Sequence, residues 1–156
     1  MTLDNDISVL QSVPLFADFG GEHLRLIAFG SQKLAFPASM ELFHNGQESD
    51  GVYIVLSGVI DLVTYYSDQV SVLGTFQRGG LIGELALIIP NQRVGTALVR
   101  ENAEVLKVPR NLMLRVLNEY PHLAARLHDR MLRSVNEFSG ELQKAAEHFD
   151  KLEYGS

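Results

Sequence analysis

The sequence predicts a mainly β fold, an antiparallel sandwich or jelly roll, with short helices before it and a long helix after it. Three observations carry this expectation. Between Ser31 and Pro109, short runs rich in β-branched, aromatic and leucine residues alternate with turn residues. No helix-length amphipathic segment separates those runs, which argues against βαβ units and a parallel sheet. On either side of this region the apolar spacing becomes helical.

Before the strands, residues 7–17 (ISVLQSVPLFA) read as a short lead-in helix ended or bent by Pro14. A second helix opens near Gly20, places Leu24, Leu26, Ile27 and Phe29 largely along one side, and stops at Gly30. His23 within it reads as a surface residue. The expected strands are Lys33–Phe36, Met40–Phe43, Tyr53–Leu56, Val59–Tyr65, Val70–Phe76, Val94–Val99 and Glu104–Val108. Pro37, Asn45-Gly46, Asp50-Gly51, Ser57-Gly58, Ser67-Asp68 and Gly79-Gly80 supply the turns between them. After Pro109, residues 111–117 form a short amphipathic helix that ends near Tyr120-Pro121. Pro121 suits the first turn of a final helix running to about Leu152. The chain thus divides into a helical lead-in (1–30), a strand region (31–109) and C-terminal helices (110–156), within one domain.

Composition narrows the function. Hydrophobic residues make up 46% and charged residues 21%, as in a globular domain with a real core. The net charge of −6 argues against a basic nucleic-acid footprint. No run approaches the ~20 apolar residues of a membrane span, and the acidic start MTLDNDISVL lacks the basic opening of a signal peptide, so a cytoplasmic location is expected. The absence of cysteine removes disulfides, thiolate metal sites and a thiol nucleophile. The five histidines are scattered, without the H-x-H pair that a metal-binding jelly-roll enzyme needs, so neither a metal site nor catalysis is expected.

The segment 79–99, GGLIGELALIIPNQRVGTALV, carries the chemistry. Gly79, Gly80 and Gly83 suit positive φ or close backbone approach, and Glu84–Ile88 is long enough for about one helical turn. Such a turn opens with N–H groups free to meet an anion. Nine positions after Glu84 stands Arg93, whose planar guanidinium holds two phosphate oxygens at once. An isolated Glu or Arg in a loop is ordinarily a solvated surface charge. Here glycines, turn, arginine and following strand come in register, which favours a phosphate cradle.

Ile82-Gly83-Glu84-Leu85-Ala86-Leu87 followed by Arg93-Val94-Gly95-Thr96 resembles the phosphate-binding cassette of the cyclic nucleotide-binding domain family. That family reads roughly F-G-E-L-A-L…P-R-x-A-T. The chain departs at Ile82, where an aromatic is usual, at Pro90, three residues before the arginine instead of beside it, and at Gly95, where alanine is usual. The resemblance implies a double-stranded β-helix barrel and a cyclic nucleotide ligand. It implies that Glu84 accepts the ribose 2′-hydroxyl, that Arg93 clamps the cyclic phosphate, and that N–H groups around Gly83, Leu85 and Ala86 complete the cradle. Thr96 would help to hold the cassette, and Val94 lacks the hydroxyl that cGMP-preferring relatives place after the arginine, which favours cAMP. Val135 and Phe138 would cover the base.

In the final helix Met131, Val135, Phe138, Leu142, Ala145, Phe149 and Leu152 are separated by 4, 3, 4, 3, 4 and 3, an a/d seam that predicts a parallel homodimer. The first half of the stripe is expected to pack on the same chain, the last turns on a partner. Arg126, Arg130 and Arg133 read as a solvated basic face. The winged helix-turn-helix that follows this helix in catabolite-activator relatives finds no room before Ser156, so the expected output is a partner (effector) protein, or a larger parent, such as a channel or regulator, of which this chain is an excised piece. A second class of function stays open: an interaction module whose cassette binds nothing and whose seam carries the activity.

Overall fold

A computed structural model describes residues 3–87 and 90–133. Two helices, α1 (Leu3–Gln11) and α2 (Gly21–Gly30), flank a 3₁₀ turn at Pro14–Phe16. Six strands follow: β1 (Gln32–Phe36), β2 (Glu41–Phe43), β3 (Gly51–Tyr66), β4 (Gln69–Phe76), β5 (Leu81–Ile82) and β6 (Thr96–Pro109). A second 3₁₀ turn spans Glu84–Leu87, between β5 and β6. Helix α3 (Arg110–Glu119) leads through Tyr120 into α4, helical over residues 121–133. The sheet is wholly antiparallel, in the order β1-β6-β3-β4, with β2 added to β6 and β5 to β3. It is not closed by a continuous ladder, yet its strands roll around one inner core, as a jelly roll requires.

Strand β3 explains that core. Val52, Ile54 and Leu56 face the helices and pack with Leu10, Phe16, Leu24, Ile27, Met113, Leu123 and Leu127. Tyr53 and Val55 face the inside of the roll with Phe43, Ile60, Ile82, Ala97, Val99 and Val105. Alternating side chains point to opposite faces of a strand. Both faces of β3 are covered, so its sequence reads as an unbroken apolar run instead of an alternating one.

The structure corrects several sequence expectations. The four strands expected at 53–56, 59–65, 94–99 and 104–108 are two long ones, β3 and β6. Gly58 is no hairpin turn: its φ is +87°, it lies where the β3–β6 register shifts, and a Cβ there would overlap the Asn102 carbonyl. Gly30 lies within α2, and extended Ser31 follows the helix. Leu26 and Phe29 are exposed, while Leu24, Ile27 and Ala28 are buried. The lead-in helix begins at Leu3 and ends at Gln11. Far from lying on the surface, His23 is buried; its Nδ1 accepts the Gly20 N–H at 3.0 Å, and its ring meets Tyr120 edge-on at 4.4 Å. A histidine three residues into a helix thus caps its start.

The helix over 121–133 packs inward through Leu123, Leu127 and Met131, so the first seam residue is buried in its own chain. Val135, Phe138, Leu142, Ala145, Phe149 and Leu152 lie outside the described residues. Arg130, expected on a solvated face, donates from Nε to Asp18 Oδ2 at 2.7 Å, with Arg126 Nη1 3.7 Å from Asp18 Oδ1. Each partner favours the charged form of the other: the Arg130 hydrogen bond holds the Asp18 carboxyl below its usual pKa, and the Asp18 hydrogen bond pushes the Arg130 guanidinium up. No described helix is long and apolar enough to cross a membrane.

Candidate functional site

The segment expected to form a cradle comes together between β5 and β6. Gly79 and Gly83 both take φ of +86°, a left-handed conformation that favours glycine. Gly80 keeps close company with Phe76, whose Cβ would stand 3.1 Å from a Cβ at that position. The 3₁₀ turn Glu84–Leu87 then opens directly after Gly83, and it is fixed from beneath by the fully buried Ala86 and Leu87. Ala86 departs from expectation in one respect. Its N–H donates to the Gly83 carbonyl at 2.9 Å, closing the turn.

Arg93 is only 5% exposed. Its main chain is clamped from both sides: Arg93 N–H donates to Gln47 O at 2.7 Å, and Gly46 N–H donates to Arg93 O at 2.8 Å. The guanidinium lies over the Phe43 ring at 4.4 Å and the Tyr53 ring at 5.6 Å. Nη2 donates to the Gly51 carbonyl at 2.7 Å. Nε and Nη1 are buried and find no hydrogen-bond partner among the described residues. Burial pulls the guanidinium pKa below its ordinary value; Tyr53 and Asp50 oppose that shift, and Arg110 adds to it. Leaving a buried charged donor unpaired costs about 1–3 kcal/mol or more. Such donors suit the acceptor oxygens of an anion.

The remaining expected residues divide. Thr96 is buried, and its Oγ1 accepts the Asn45 N–H at 3.2 Å; Asn45 Oδ1 accepts the Gly95 N–H at 2.8 Å. Thr96 therefore ties the loop at Asn45 to the start of β6. Val94 is 63% exposed, directly after the arginine. The strand expected from Val94 starts at Thr96 instead, because Gly95, at φ +90°, breaks the extended conformation. Glu84, Leu85, Gly83 and Arg93 share the cassette, Gly83 lying against Arg93 Nη1. Val135 and Phe138 lie outside the described residues.

Sequence reasoning missed the supports. Asn45, Ser49, the Gly51 carbonyl, Phe43 and Tyr53 come from the two strands and the loop before the cassette. Asn45-Gly46 is legible as a turn, yet nothing local shows that Asn45 reaches across to Gly95. Asp50 pairs with Lys107 at 3.0 Å; burial pushes its carboxyl up, but the Lys107 contact outweighs this and its pKa falls. A groove of about 600 Å³ lies elsewhere, between α3 and α4, lined by Leu114, Leu117, Ala124 and Leu127. Its mostly apolar lining does not suit an anion. Among the described residues, no group of three or more His, Asp or Glu side chains could hold a metal.

Known proteins are similar to this chain. Lysophospholipase NTE1 of Pyricularia oryzae is 35% identical over 102 residues, covering 65% of this chain and 7% of that protein. The chain therefore spans only a small fraction of the curated relatives it matches in this way. The cyclic AMP receptor protein of Thermus thermophilus is 27% identical over 134 residues, covering 85% of this chain and 62% of that one. The structure of a cyclic nucleotide-binding-like protein from Brucella abortus superposes with a TM-score of 0.67 at 36% identity, covering 74% of this chain and 99% of that one. The family model for the cyclic nucleotide-binding domain matches residues 33–120, more than half of the sequence, from β1 through α3. With the cassette, the buried arginine and the roll in place, the chain belongs to the cyclic nucleotide-binding domain family.

Proposed function

We propose that this chain is a regulatory sensor module that binds a cyclic nucleotide, cAMP in preference to cGMP, and acts through its C-terminal helix without catalysing a reaction. The observation that carries the proposal is Arg93: a buried guanidinium with Nε and Nη1 unpartnered. A site built at this cost fits an anionic ligand that supplies the missing acceptors. Arg93 then holds the cyclic phosphate with the opening amides of the turn at Gly83–Leu85, and Glu84 accepts a ribose hydroxyl. Val94 offers no hydroxyl to a guanine amino group, which supports cAMP, as does the likeness to a cyclic AMP receptor protein.

The route of the signal rests on attachments. Helix α4 is seated through Leu127 and Met131 and tied by Arg130 to Asp18. Ligand can shift that helix only by its differential affinity for two arrangements. The 4-3 apolar repeat from Met131 to Leu152 supports a homodimer, with an effector protein as the next partner. A cytoplasmic location rests on the cysteine-free, acidic composition. Titration calorimetry with cAMP, cGMP and 5′-AMP tests the reading. Tightest binding of cAMP supports it, tighter cGMP binding reverses the specificity, and heat from neither cyclic nucleotide favours the ligand-free interaction module.

A further inference from the structure

A second arginine stands behind the cradle. Arg110 is the first residue of α3, and its side chain reaches two other segments. Its Nε donates to the Ala86 carbonyl in the 3₁₀ turn at 3.1 Å. Its Nη2 donates to Ser49 O at 2.7 Å and to Ser49 Oγ at 2.9 Å, and its own N–H donates to Asp50 O at 2.8 Å. Ser49 in turn is bound to the segment that leads into Arg93: its Oγ donates to Asn91 Oδ1 at 2.5 Å and its N–H to Asn91 O at 2.9 Å. The next carbonyl but one after Ser49, that of Gly51, receives Arg93 Nη2.

We infer that Arg110 is a positioning residue that makes α3 follow the phosphate cradle. One rigid fork gathers the turn at 84–87, the loop at 49–51 and, through Ser49, the approach to Arg93, and fastens all three to the start of a helix. Helix α3 is itself a single packed body, seated in the helical core through Met113, Val116 and Leu117. A displacement of the turn by even part of an ångström must stretch these bonds or carry α3 with it. The charge also matters. Arg110 lies close enough to Arg93 to weaken its hold on the proton, so the two cations repel when the site is empty of anion. An anion on Arg93 relieves that repulsion. It thereby gives the ligand a differential interaction with the arrangement of Arg110, which is what a conformational response requires. Lysine would not serve, since a single ammonium lacks the planar fork that spans Ala86 and Ser49 together.

This inference rests on the nucleotide reading, and the test separates the two. Amide hydrogen exchange is followed by mass spectrometry on the full chain with and without saturating cAMP, with binding measured by calorimetry on the same samples. In the wild type, cAMP is expected to slow exchange about fivefold or more both in residues 84–87 and in residues 112–119. Arg110→Met is expected to bind cAMP within about tenfold of the wild-type affinity, to keep the response at 84–87 and to lose it at 112–119. A purely structural role would lower Tm and leave the two responses linked. Should Arg110→Met fold poorly, Arg110→Lys keeps the charge and is expected to lose at least half of the α3 response. A full α3 response in either variant, or cAMP binding by the wild type with no α3 response, overturns the inference alone. Absence of cAMP binding by the wild type overturns the nucleotide reading and this one with it.

Discussion

Arg93 and Gly83 share one space: Arg93 Nη1 lies where a Cβ on residue 83 would stand, and Gly83 adopts φ of +86° to open the turn beside it. Glycine is required there twice over, by backbone conformation and by the arginine. Gly83→Ala is therefore expected to cost about 1–3 kcal/mol in backbone strain, a fall in Tm of about 2–12 °C, and to weaken cAMP binding more than tenfold by displacing the guanidinium. Thermal unfolding and calorimetry of the variant check both effects. Unchanged affinity would mean that Nη1 is not a ligand contact.

The Phe43 ring under Arg93 holds the guanidinium in a chosen plane, at 4.4 Å. Phe43→Leu retains an apolar side chain in the inner core but removes the ring's negative face. A cation–π contact of this kind contributes about 0.5–2 kcal/mol, so cAMP affinity should fall about 2–30-fold. Phe43→Tyr, which keeps the ring face, should bind more tightly than Phe43→Leu. Equal affinities in the two variants would show that the ring only fills space.

The Asp18–Arg130 pair ties the lead-in to α4, and its contribution has a definite pH dependence. The Arg130 hydrogen bond lowers the folded-state pKa of Asp18 below its unfolded value of about 3.9. A depressed carboxyl contributes stability that is present above the unfolded pKa and lost as pH falls through the folded one. Asp18→Asn should therefore have a lower Tm than the wild type at pH 7, and the gap should narrow below about pH 4. It should also shrink in high salt, since both partners reach solvent. A gap that persists unchanged to pH 2 would place the effect in packing and not in the charge.

Much of this architecture is legible in the sequence, and what is not has physical causes. Turn residues mark the hairpin at Ser67-Asp68 and the left-handed Gly46, and the apolar runs identify the strands. The long strand β3 escapes detection because a bulge glycine, Gly58, looks locally like a hairpin glycine, and β6 because the polar run Arg100-Glu101-Asn102 interrupts its apolar pattern. Burial of His23 depends on Tyr120, which is distant in the chain and touches its ring only after folding. In the cassette, Gly83, Glu84 and Arg93 are recognisable from spacing, because their order is set by one continuous loop. Their supports are different. Asn45, Ser49 and Arg110 act across separations of 50, 42 and 61 residues, and no local pattern records such pairings.

The central claim is that Arg93 is buried to receive an anion, and thermal unfolding of the wild type and Arg93→Met with and without cAMP tests it most directly. At about 100 times its dissociation constant, cAMP should stabilise the wild type by about 2.7 kcal/mol, raising Tm by about 5–10 °C. Arg93→Met should show no rise, and its Tm without ligand should equal or exceed that of the wild type, because methionine removes two unpaired buried donors. An equal rise in both proteins, or a variant far less stable without ligand and a wild type indifferent to cAMP, would contradict the account and make Arg93 a structural residue.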